Sequence, residues 1–187
     1  DKAGIKTSMA PLGTAVTQSQ LKRLWNMAKE PVICLDGDEA GKRAMERVAN
    51  LCLPILEPGY TIKFAILEQG LDPDDYLKKH GVQNMRKILQ NAQDLSEIIW
   101  ESESKKKLIK TPGQKAELEQ RLSNIADSIN NKTVAKYYHN FFRNRLWEFY
   151  KGKINKSLTE KPIASDQLPV FEDITPKGCQ TFIILHM

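Results

Sequence analysis

The sequence has too few cysteines and histidines, set too far apart, for a disulfide framework or a transition-metal cluster. Its three cysteines are Cys34, Cys52 and Cys179, an odd and widely spaced set, and His80, His139 and His186 are equally isolated. Small secreted domains rely on closely spaced, paired cysteines, so this usage points to a reducing, cytoplasmic setting. No apolar run approaches the roughly 20 residues that a bilayer span requires, and no membrane role is expected. The opening DKAGIKTSMA holds no secretory apolar stretch. Internal repeats are absent. What remains is an ordinary globular balance of 41% hydrophobic and 27% charged residues.

The first part of the chain alternates between two hydrophobic periods. SMAPLG (8–13) reads as a short strand ending in a turn. Thr17 and Gln20 form a T-x-x-Q capping box, and Leu21, Leu24, Trp25 and Ala28 follow at helical spacing. PVICLD (31–36) is continuously apolar, as expected of a strand buried on both faces. Ala40, Ala44, Val48 and Leu51 mark a second helix, and TIKFAIL (61–67) a third strand. Strand–helix–strand–helix–strand in about 60 residues predicts an α/β unit with a mostly parallel sheet.

After Asp72 no strand is expected until the extreme C-terminus. A short helix over 73–80 is expected to stop at Gly81, with helical patterns near 82–90 and 94–104. Thr111-Pro112 opens a longer helix, and another runs from about Lys132 to Lys151, with Gly152 placed to end it. The composition then turns to Lys, Ser, Pro and Asp and reads as a linker.

Charge is unevenly spread. Residues 1–100 balance 13 basic against 13 acidic residues, whereas residues 101–153 carry 12 against 6. A basic helical segment suits nucleic acid; it also suits a plain solvated face. Lys105-Lys106-Lys107 is its densest cluster.

Two acidic clusters carry the chemistry. Asp36 and Asp38 flank Gly37 where a buried strand ends. In extended backbone they share a side about 6.6 Å apart, facing the crevice where open α/β sheets place ligands. Asp38 also suits a plain helix cap. LDPDD (71–75) sets Asp72, Asp74 and Asp75 at the next strand-to-helix junction. If the two strands are neighbours, both clusters reach one rim, and converging carboxylates suit hard divalent cations such as Mg²⁺. DPDD also suits a helix N-terminus. Lys42 and Arg43, in the first turn after DGD, could meet phosphate or template, or be ordinary surface residues.

The strand-DGDEAG-helix, followed by a strand and DPDD, resembles the second half of a Toprim domain. APLGTAVTQSQLKRLW, TPGQKAELEQRL and VAKYYHNFFRNRL resemble the stretches around it in bacterial DnaG-type primases, so the likeness covers about residues 8–150. The fold class this implies is α/β: a partial Toprim domain with a mostly parallel sheet, followed by a helical subdomain. The domains are then 1–80 for the C-terminal half of Toprim, 81–152 for the helical subdomain, and 153–187 for a linker and the start of a C-terminal domain.

The resemblance assigns catalysis and metal binding to Asp36, Asp38, Asp72 and Asp74. It makes Lys42, Arg43, Lys105, Lys106 and Lys107 candidates for nucleic-acid contact. It implies synthesis of short RNA primers with Mg²⁺ or Mn²⁺, on single-stranded DNA, from nucleoside triphosphates. A replicative helicase would be met through a C-terminal domain, and zinc would sit only in an N-terminal domain not present here. The family also has a Glu in an EGYxD-like motif ahead of DGD, and the 35 residues before Asp36 hold none. The chain is therefore expected to be a piece of a longer enzyme, inactive alone. A non-catalytic nucleic-acid or helicase-binding module and a Toprim nuclease are the alternatives.

Overall fold

A computed structural model describes the backbone of residues 8–9, 16–68, 70–158 and 182–184, and side chains over 16–68 and 70–151. Its elements in chain order are β1 (Ser8–Met9), α1 (Gln18–Met27), β2 (Val32–Leu35), α2 (Glu39–Cys52), a 3-10 turn (Leu53–Ile55) and β3 (Lys63–Ile66). There follow α3 (Pro73–Gln90), β4 (Gln93–Asp94), α4 (Leu95–Lys105), α5 (Pro112–Asp127), α6 (Lys132–Leu158) and β5 (Phe182–Ile184).

The strands form one sheet in the order β1-β5-β2-β3-β4. Parallel pairing holds throughout except at β3–β4, which is antiparallel. The expected parallel neighbours β2 and β3 are in register from Val32↔Lys63 to Leu35↔Ile66. Every residue of β2 is buried, as its unbroken apolar run requires. Its alternate side chains serve two cores. Ile33 and Leu35 join α1, α2 and the later helices on one face, while Val32 and Cys34 meet Tyr76, Met85 and Leu89 of α3 on the other. The helices α4, α5 and α6 share the first of these cores, through Ile98, Leu118, Leu122 and Phe142 among others.

Local signals explain most boundaries. Thr17 and Thr111 close full capping boxes with Gln20 and Gln114 at the starts of α1 and α5. Gly81, at φ 74°, breaks α3 where the sequence places a stop, so two helical pieces meet there. Three features differ from the sequence expectation. The two-residue strand β4 is too short to show a period; tertiary pairing defines it, including Leu95 N–H donating to Ile62 O at 3.0 Å. Helix α6 runs through Gly152 to Leu158 instead of yielding to a linker; one interior Gly costs only about 1 kcal/mol, and the next Pro is Pro162. The strand expected at the C-terminus is present as β5, but it lies inside the sheet between β1 and β2. Residues 10–13 of the expected first strand and 159–181 of the expected linker lie outside the described residues.

Two helical glycines separate packing from propensity. A Cβ on Gly41 would stand 2.1 Å from the Asp36 carbonyl oxygen, whereas one on Gly113 would meet nothing within 4 Å. Gly41→Ala is expected to destabilise the fold by about 1–3 kcal/mol, and Gly113→Ala to stabilise it by about 0.4–1 kcal/mol. Urea denaturation of the two variants beside the parent checks both signs.

Candidate functional site

The parallel pairing carries β2 and β3 to a common end. Leu67 N–H donates to Leu35 O at 3.1 Å, so the two chains leave the sheet side by side. On one side the backbone turns through Asp36, Gly37 and Asp38 into α2; on the other it passes Leu67 and Glu68 to Asp72 and α3. Gly37 has a steric task at this junction. A Cβ there would lie 2.1 Å from the Leu67 carbonyl oxygen and 2.8 Å from that of Glu68. The close approach that this glycine permits is therefore to the chain leaving the neighbouring strand.

Both acidic clusters thus open at one rim, each at a helix N-terminus. Asp38 caps α2, its Oδ1 accepting from Gly41 N–H at 2.8 Å. Asp72 caps α3, its Oδ1 accepting from Asp75 N–H at 2.7 Å. Each cap engages one carboxylate oxygen. Asp36 and Asp72 are half-buried, and Asp38 and Asp74 are exposed. The partial positive charge at the two helix starts favours carboxylates, and also phosphate. The charge on Asp36 is felt locally: burial, then Asp36, pushes the Cys34 thiol up to about 12.

Glu68 joins the same rim and was not singled out from sequence. It is exposed, pairs with Lys79 at 3.7 Å, and stands 3.3 Å from His80 Nε2, whose ring stacks on Tyr76 at 4.5 Å. Its only sequence signal is a carboxylate directly after a strand whose neighbour ends in DGD.

Among the described residues, no group of three or more His, Cys, Asp or Glu side chains stands close enough to hold a metal ion. The donor chemistry nevertheless suits Mg²⁺, which takes hard oxygen ligands, often one or two carboxylates with water and phosphate oxygens completing the set. Asp36 and Asp38 from one strand end, with Asp72 and Asp74 from the next, supply such oxygens.

The candidate basic residues fall in two places. Lys42 pairs with Glu39 at 2.6 Å, which draws the Glu39 carboxyl below its ordinary range, while exposed Arg43 has no ion pair among the described residues. Lys42, Lys105 and Lys106 line one open groove between α2 and α4, beside Ile66. The lysine cluster is less available than its sequence implies. Lys105 pairs with Glu101 at 2.7 Å, Lys106 with buried Glu103 at 2.6 Å, and Lys107 with Glu117 at 2.7 Å. Arg121 meets both Glu103 and Glu117, tying α4 to α5.

A family model described as Toprim-like matches residues 1–77. A DNA primase of Rickettsia felis is 37% identical over 159 residues, covering 85% of this chain and 27% of that protein. A solved DnaG catalytic core superimposes with a TM-score of 0.70 at 26% identity, covering 78% of this chain and 46% of that one. The chain belongs to the DnaG-type DNA primase family. A second DnaG catalytic domain, solved bound to single-stranded DNA, matches at a TM-score of 0.64 and 26% identity over 73% of this chain and 43% of that one. The chain spans about a quarter of the length of the curated primases it matches. No helix among the described residues is long and apolar enough to cross a membrane.

The buried thiols provide a check on the packing of this primase fold. Cys34, two residues before Asp36, and Cys52 are both fully buried, and burial pushes each thiol up to about 12. Folded-state pKa values raised above the unfolded one mean stability that is complete below about pH 8.5 and falls as pH rises toward 12. In a Cys179→Ser variant, native protein at pH 8 is expected to show no fast thiol reaction with a disulfide reagent, and denaturant midpoints are expected to fall between pH 8 and 10.

Proposed function

We propose that this chain supplies the metal-binding rim of a bacterial primase, an enzyme that makes short RNA primers for DNA replication on a single-stranded template. The observation that carries this reading is the shared rim: two carboxylate clusters at the ends of adjacent parallel strands, each at a helix N-terminus. Asp36, Asp38, Asp72 and Asp74 are the residues that would hold Mg²⁺ or Mn²⁺. When bound there, the ion would neutralise charge on nucleoside triphosphate oxygens and help activate the primer 3′-hydroxyl.

The protein's own share is positioning. The β2–β3 pairing sets the two strand ends side by side, the caps orient Asp38 and Asp72, and the helix starts favour phosphate at the rim. Lys42 and Arg43, one turn into α2, are candidates to meet phosphate or template there. For Lys105, Lys106 and Lys107 the same role requires exchanging a carboxylate for a phosphate. A replicative helicase is the further partner this reading implies, through a C-terminal domain of the family.

The double duty of Asp38 and Asp72 makes the test specific. Asn caps a helix as well as Asp does, whereas Ala loses about 1 kcal/mol. In a full-length primase carrying this sequence, Asp38→Asn and Asp72→Asn should retain parental stability while template-dependent primer synthesis falls by orders of magnitude. The Ala variants should lose both. Full synthesis by the Asn variants would show that the caps, and not the charges, are what the site needs. The isolated chain should synthesise no primer.

A further inference from the structure

The positive charge of the helical segment is not where its densest lysine cluster lies. Of its basic residues, Lys105, Lys106, Lys107, Arg121 and Arg145 are all ion-paired. Lys110 and Lys115 have no ion pair among the described residues, and neither have Lys132, Lys136, Arg143 and Lys151, of which the last four all belong to α6. At 3.6 residues per turn, these four fall within a sector about 100° wide, together with Asn140 and Trp147. The acidic residue nearest in sequence, Glu148, lies outside that sector. Buried Ala135, Phe142 and Leu146 point α6 inward elsewhere on its circumference.

The stripe joins charge to an exposed ring. Trp147 is 62% exposed, an uncommon cost for the largest apolar side chain. The Lys151 ammonium lies 4.5 Å from its ring centroid. Arg143 donates to Asn140 Oδ1 at 2.7 Å, which steadies the guanidinium in the middle of the row. From Lys132 to Lys151 the row is about 29 Å long.

We infer that this face of α6 is a binding surface for single-stranded nucleic acid, with Trp147 stacking on a base and Lys136, Arg143 and Lys151 meeting the phosphates on either side. Cations in a row with an exposed aromatic ring suit a single strand, whose bases are free to stack, better than a duplex, whose bases are not. The surface is separate from the aspartate rim and needs no metal, so it goes beyond the role proposed for that rim.

The test uses the whole chain in EDTA. Trp25 and Trp100 are each only 8% exposed, so quenching by an added oligonucleotide reports chiefly on Trp147. Oligo-dT should quench the fluorescence, and a duplex of equal length should bind more weakly. Followed by the anisotropy of a labelled oligonucleotide, which does not depend on the protein's own fluorescence, Trp147→Ala should weaken binding at least about fivefold, the lower end for one stacked base. The triple variant Lys136→Gln, Arg143→Gln, Lys151→Gln should lower the slope of log K against log salt by about 2, from three phosphate contacts on a single strand. Both variants should unfold as the parent does. Asp36→Asn with Asp72→Asn should leave this binding intact, which separates the inference from the rim reading. No quenching, equal affinity for duplex, or an unchanged salt slope would each overturn it and leave the face to a protein partner.

Discussion

The side-by-side ending of β2 and β3 is the constraint on which the other features rest. Parallel register brings Leu35 beside Ile66, and the hydrogen bond from Leu67 to Leu35 holds the chains together for one residue beyond the strands. Gly37 then lies against the carbonyls of Leu67 and Glu68 at a distance no side chain tolerates, and Gly41 lies as close to the carbonyl of Asp36. The DGDEAG motif is therefore a packing solution as much as a chemical one. Its glycines let two strand ends and a helix start meet, and its aspartates are placed by that meeting.

Capping and ligand binding coexist in this arrangement. A carboxylate at an N-cap satisfies an otherwise unpaired backbone donor and sits in the favourable field of the helix start. It needs only one oxygen to do so. Asp38 and Asp72 both act this way, and the same field favours the phosphates of a nucleotide. The sheet sets side by side the strand ends that lead to the two caps, which are 34 residues apart in sequence, counting Asp38 to Asp72. Magnesium's habit of taking few protein ligands fits a rim that offers separate carboxylates instead of a closed cage.

Much of this was legible because each element carried its own signal. The buried run of β2, the capping boxes at Thr17 and Thr111, and the stop at Gly81 are local, and the structure has each of them. Features set by distant contacts were not legible. The pairing of Gln93 and Asp94 with β3 and the central place of β5 arise only once the sheet exists. Glu68 was missed because its importance depends on which strand lies beside it. The lysines at 105–107 read as an open basic cluster because their acidic partners, Glu101, Glu103 and Glu117, become partners only through helix geometry and the packing of α4 on α5. Those lysines are paired, and of the six basic residues of the segment without an ion pair among the described residues, four lie on α6.

The central claim is that the two strand ends form one site and not two. Paramagnetic broadening of amide resonances by substoichiometric Mn²⁺, in the chain and in its Asp36→Asn variant, tests it most directly. One site predicts broadening at residues 36–38 and 72–75 together in the parent, and loss at both places in the variant, although residues 72–75 are themselves unchanged. Broadening that survives at 72–75 when Asp36 is neutralised would contradict the account.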